Sequence, residues 1–207
     1  MNFWSFLLTC QPGYDKQCLY NIAKCINTND YSSLIAGAEY TRDHHNDDNT
    51  PQAMAMSRVD WNAVDILCIA FGTNDWTGSV LGSDFTVDST GGSFIGALCF
   101  SIEQVLEKFP HIQIVLIGMS FRLRGNGNAD ENSDNWLNKF GHSLQEYQNA
   151  ILDVAEKYHI PAFDMYRLSG VNELTYKKYL RDGVHPIPNT GYQHWANKIG
   201  SFLNSVI

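Results

Sequence analysis

The sequence predicts a three-layer α/β fold, with helices laid on both faces of a parallel sheet, and three observations predict it. Residues 64–71 (VDILCIAF) and 111–119 (HIQIVLIGM) are near-continuous apolar runs, the pattern of strands covered on both faces. Between and after them, apolar residues return at helical spacing. Strand-like and helix-like segments alternate, which is the order that builds a parallel sheet with helical layers.

In chain order, residues 3–8 (FWSFLL) read as helix, because Phe3, Phe6, Leu7 and Cys10 lie at helical spacing. A short strand is expected at 33–37 (SLIAG) and a longer one at 64–71. Phe94, Leu98, Ile102, Val105 and Phe109 then mark one face of a helix, and the strand at 111–119 follows. A second such face runs through Leu144, Tyr147, Ile151, Val154 and Tyr158, ahead of a strand at 160–165 (IPAFDM). The last helix is expected to open on Asn189-Thr190 as a cap, with Tyr192, Trp195, Ile199 and Leu203 on one face. Arg122 to Asn135 (RLRGNGNADENSDN) is polar and Gly-rich, so it is expected as a surface loop near the ligand cleft. No internal repeat is present, and one domain over 1–207 is expected.

Composition narrows the function classes. Fourteen Lys and Arg against 22 Asp and Glu give a formal net charge of -8, which argues against nucleic acid and disfavours an anionic membrane. No apolar stretch of about 18 residues is available to span a bilayer. The first residues lack the basic region of a signal peptide, although a cropped start would have lost one, so the compartment stays open. Cys10, Cys18, Cys25, Cys68 and Cys99 are odd in number and lack ligand-like pair spacing, which reads as buried free thiols. The acidic and His-rich run 43–48 (DHHNDD) has no second ligand set at regular spacing, and Asp130, Glu131 and Asp134 lack the order of a calcium loop. No metal and no cofactor are expected, and no nucleotide-binding glycine motif occurs.

In an open parallel sheet, ligands bind beyond the carboxyl ends of the strands. Gly37 follows one expected strand, Asn74 in "FGTND" (71–75) follows the next, and "DGVHP" (182–186) precedes the last helix. A carboxylate three residues before an imidazole in one tight loop can accept its Nδ1 hydrogen and leave Nε2 as a general base. Asn74 can offer a side-chain N–H, and Gly37 a backbone N–H, to a developing oxyanion. Asp75 is expected to tie the turn together. Trp76 and Trp136 are candidates for the lining of a substrate cleft.

G-x-N-D at 72–75 and D-x-x-H-P at 182–186, in this order and 111 residues apart from Asn74 to His185, resemble blocks III and V of the SGNH (GDSL-type) hydrolases. Gly37 in "IAGAEYT" resembles the glycine of block II. The resemblance covers residues 30 to 207 and implies a flavodoxin-like α/β/α sheet and a serine esterase. Asp182 and His185 are implied as triad partners, with Gly37 and Asn74 as oxyanion donors. "GTNDW" with Leu81-Gly82 further resembles members acting on acylated carbohydrates or related esters, which implies a small-molecule or carbohydrate ester as substrate.

The sequence departs from that pattern in one respect: no Gly-Asp-Ser, the block I motif that carries the nucleophile, precedes Gly37. Ser5, Thr9 and Cys10 are the stand-ins. The first strand of such a sheet is central, and its loss would leave two inner edges unpaired, so a truncated start is expected rather than loss in evolution. An inactive chain is expected in consequence, with a non-catalytic carbohydrate-binding or structural module as the alternative.

Overall fold

In the computed structural model, which describes Thr9, residues 16–126 and residues 128–207, three of the four expected strands form. They are β1 (Ile66–Ile69), β2 (Gln113–Ile117) and β3 (Ala162–Phe163), in the sheet order β1-β2-β3. β2 and β3 run parallel, with Leu116 opposite Ala162 and Ile117 opposite Phe163. Ile114 to Ile117 of β2 are all buried, as an apolar run covered on both faces should be. β1 is different: of its four residues Ile69 alone is buried and Cys68 is exposed.

The fourth expected strand is a correction. Residues 33–37 lie inside a helix, α2 (Ser32–His45), which follows α1 (Leu19–Thr28) and precedes α3 (Thr50–Met56). Leu34, Gly37, Ala38 and Thr41 are its buried residues, spaced three, four and seven apart as one helical face requires. The segment 3–8, with Ser5, and Cys10 lie outside the described residues. After β1 come the single turn α4 (Asp75–Gly78) and α5 (Phe94–Lys108); α6 (Leu144–Tyr158) lies between β2 and β3. Two short turns, α7 (Met165–Leu168) and α8 (Tyr176–Tyr179), lead to α9 (Thr190–Val206).

The chain divides into two compact units. The first runs to Leu67 and takes in Phe71–Asp75 and Ser79–Ile114. In it α1 packs on α5 and α2, and α2 on α3. Ile22, Ile26, Leu98 and Ile102 supply buried apolar surface, and Asn27 Nδ2 donates to the Gln104 carbonyl at 2.9 Å to tie α1 to α5.

The second unit comprises Cys68–Ala70, Trp76–Gly78 and Val115–Ile207. α6 starts on a capping box, Ser143 and Glu146 each satisfying the other's backbone N–H, and packs on β3. The fully buried Gln148 of α6 accepts the Met119 N–H at 2.6 Å and donates to Asp164 at 3.3 Å, linking the ends of β2 and β3. α9 begins where expected, but the Asn189 side chain makes no capping bond. Its apolar face is only partly covered: Tyr192 is exposed, while Trp195, Ile199 and Leu203 are half-buried.

The segment from Arg122 to Asn135 is exposed through its middle, as a surface loop should be, but the residues flanking that middle are not. Arg122, Leu123, Asn132 and Ser133 are buried, and Leu123 and Asn132 form an antiparallel bridge. Polarity misleads here because the polar groups are satisfied inside the protein: Ser133 N–H donates to the Arg122 carbonyl at 2.9 Å.

Candidate active site

The loop before α9 is a tight hairpin-like turn. Leu180 and Pro186 form an antiparallel bridge, and Arg181 N–H donates to the His185 carbonyl at 2.8 Å. Gly183 turns the chain with φ 79°, and a Cβ there would sit 2.4 Å from Leu123 Cδ1, so both backbone and space require glycine. Inside this turn Asp182 Oδ1 accepts the N–H groups of Val184 (3.0 Å) and His185 (2.8 Å). Its other oxygen lies 2.8 Å from His185 Nδ1. A carboxylate can only accept, so Nδ1 carries the hydrogen and Nε2 is left with its lone pair. Burial opposes ionisation of Asp182, but the bonds from the His185 backbone and ring and from Val184 N–H outweigh it and hold the carboxyl well below the usual range. The His185 side chain is 61% exposed.

Behind this loop, still in the second unit, lies a buried polar–aromatic layer. Leu123 N–H donates to the Gly183 carbonyl at 2.8 Å. The Arg122 guanidinium stands 5.9 Å over the Trp76 ring, and Trp76 meets Trp136 edge-on at 5.0 Å between centroids. Trp76 is fully buried, which corrects the expectation that it lines a cleft: it backs the layer. Trp136 is half-buried under the Arg124 guanidinium, 4.3 Å above its ring. Asn138 holds this segment in place by donating to the Trp76 carbonyl (2.8 Å) and the Tyr147 hydroxyl (2.9 Å).

The first unit carries the other expected residues. Asn74 is half-buried and precedes α4, five residues beyond the end of β1. Asp75 is fully buried and ties the turn as expected. One of its oxygens accepts the Thr9 N–H (3.2 Å), the Thr9 hydroxyl (2.8 Å) and the Ser79 hydroxyl (2.8 Å). The Thr9 hydroxyl, in turn 2.8 Å from Ser79 Oγ, is therefore a buried structural group, not an accessible nucleophile. Gly37 is corrected too. In the interior of α2 its N–H belongs to the helix ladder. Its lack of a side chain serves packing, since a Cβ would lie 2.8 Å from Lys16 Cβ.

Other polar clusters have local uses. His44 Nδ1 bonds the Tyr40 carbonyl, Asp48 accepts from Thr50, Glu131 pairs with Arg124, and Asp134 accepts the Tyr166 hydroxyl. Among the described residues no three His, Cys, Asp or Glu side chains gather as a metal site. Cys18, Cys25 and Cys99 are buried as expected, and Cys68 is exposed.

The family model of the GDSL-like lipase/acylhydrolases matches residues 25–193. The chain belongs to that family. One solved structure is 26% identical to this GDSL-like hydrolase, with a TM-score of 0.62 over 77% of this chain and 71% of its own. A protein from Lactobacillus plantarum shares the fold at 24% identity and a TM-score of 0.61, over 70% of this chain and 69% of its own. A possible lipase from Chitinophaga pinensis is 26% identical over 60% of this chain and 54% of its own, with a TM-score of 0.43. No curated protein matches the chain. In this GDSL-like hydrolase, sequence reasoning also missed that Arg122 is buried. Its signal was the flanking pair Phe121 and Leu123, apolar neighbours that mark a buried segment.

Proposed function

We propose that this chain carries the acid–base half of an SGNH-type serine ester hydrolase. The observation that carries the reading is the Asp182–His185 pair, with Nδ1 held at 2.8 Å and the His185 side chain exposed. His185 takes the proton of an attacking serine hydroxyl as the serine oxygen bonds to the ester carbonyl carbon. It then gives that proton to the alcohol as the carbon–oxygen bond to it breaks. Water repeats the sequence on the acyl-enzyme. Asp182 holds the ring in its tautomer and offsets its charge. The oxyanion donor that the family resemblance implies is the Asn74 side-chain N–H. The sequence holds no Gly-Asp-Ser, so the chain as given is expected to form no acyl-enzyme.

The substrate is a small-molecule or carbohydrate ester, and no cofactor is required. A net charge of -8 supports a neutral substrate over nucleic acid or an anionic membrane surface. The second reading, a non-catalytic carbohydrate-binding module on the same fold, is favoured by one observation: the hydroxyl of Thr9 is spent on Asp75 and Ser79.

Fluorophosphonate labelling, with hydrolysis of acetylated carbohydrates, tests the reading. The chain as it stands is expected to take no label. A chain extended in frame to include Gly-Asp-Ser is expected to label at that serine and to turn over, and His185→Ala to abolish turnover. Label at Ser5 or Thr9 would reassign the nucleophile. Full activity with His185→Ala would overturn the hydrolase assignment. An inactive extended chain that binds glycan would establish the second reading.

A further inference from the structure

We propose that Arg122 is a positioning residue for the Asp182–His185 pair, acting through the backbone segment that supports their loop. The inference deepens the hydrolase reading and rests on it for its catalytic meaning.

Arg122 is only 6% exposed, and burying its guanidinium is costly: burial pushes its pKa down to about 10 while the charge of Asp182 pulls the other way. It is therefore still a cation at neutral pH, in a place where an apolar side chain would be cheaper. Its geometry shows what it does there. Nε donates to the Leu123 carbonyl at 3.0 Å and Nη2 to the Arg124 carbonyl at 3.3 Å, so one planar fork fixes two successive peptides. The first of these residues is the one whose N–H holds the Gly183 carbonyl at 2.8 Å, between Asp182 and His185. A Cβ on Gly125 would lie 3.2 Å from Arg122 Nη2 and 3.3 Å from Val184 Cγ2, so the fork and the residue preceding His185 flank the same glycine. Phe121 and Leu123 sit in an apolar cluster with Val171 and Leu180, which anchors the segment on either side of the fork. Trp76, 5.9 Å below the guanidinium, gives its charge a π-face.

The test reads the His185 tautomer from the 15N shifts of its ring nitrogens in the neutral form, on the chain as it exists and without any need for turnover. His142, whose Nδ1 lies 2.8 Å from Glu146, is the internal reference for a general loosening of the fold. Arg122→Lys keeps the charge but lacks the planar fork that sets Nε and Nη2 on two successive carbonyls; Arg122→Met keeps only the stem. In both, the ratio of Nδ1–H to Nε2–H tautomer at His185 is expected to fall about fivefold, the worth of one ordinary hydrogen bond, with His142 unchanged. Asp182→Asn supplies the reference for complete loss. An unchanged His185 in a folded Arg122→Lys protein would overturn the proposal, as would parallel changes at His185 and His142. Should Arg122→Met fail to fold, Arg122→Lys decides alone; should both fail, Arg122 is a folding residue and the proposal falls. Absence of ester turnover in an extended chain would sink the hydrolase reading and leave this result standing.

Discussion

Asp182 divides its work, one oxygen for two backbone N–H groups and the other for the imidazole. Asp182→Asn keeps an acceptor for the backbone but turns an N–H donor toward Nδ1, which forces the other tautomer. The variant is expected to fold normally, and in an extended, active protein to lower kcat by about three to four orders of magnitude, measured by steady-state kinetics. Asn74→Ala in that protein should cost about two to three orders, the usual loss for one oxyanion donor. Gly183→Ala would fail for a different reason. With φ 79° and Leu123 2.4 Å from the added carbon, it is expected to destabilise by about 1–3 kcal/mol in urea denaturation. This pair was legible in the sequence because its partners are three residues apart and the turn between them is local. Arg122 was not, since its meaning comes from a loop some 60 residues further on.

Helices α5 and α6, the strand β2 and the start of α9 were legible from periodicity and unbroken apolar runs. The segment 33–37 was not, because five apolar or small residues fit a strand and a helix turn equally well; only the spacing of Leu34, Ala38 and Thr41 separates them. That correction has a consequence at Gly37. Alanine there gains helix propensity of about 1 kcal/mol, but its Cβ meets Lys16 Cβ at 2.8 Å, and overpacking costs about 1–3 kcal/mol. Gly37→Ala is expected to lower the Tm slightly, with no effect on turnover in an extended, active chain; a higher Tm would contradict the packing. The entry to α5 depends on Asp88, which accepts bonds from Thr90, Gly92 and Ser93. Burial opposes them, yet the bonds prevail and bring its pKa down to about 2. A depressed carboxylate stabilises above its unfolded value of about 3.9, and that stability is lost as pH falls toward the folded value. Asp88→Asn should therefore flatten the fall in stability between about pH 4 and 2, read from acid denaturation curves.

At the scale of the whole chain, family membership was legible because two short motifs keep their order across 111 residues, and the match over 25–193 shows it. The role of the residues ahead of it was not legible, because Thr9 has a use only once Asp75 is folded against it. That contact spans 66 residues. Closing so long a loop costs entropy before the contact repays it, so the bond belongs to the late, downhill side of the folding barrier. Thr9→Val should then leave the refolding rate unchanged and speed unfolding about 5–30-fold, for a loss of about 1–2 kcal/mol, seen as a shift of one arm of the stopped-flow chevron. The Asp75 knot would thus act as a brake on escape from the native state, contributing to the lifetime of the turn that bears Asn74 rather than to the speed with which it forms.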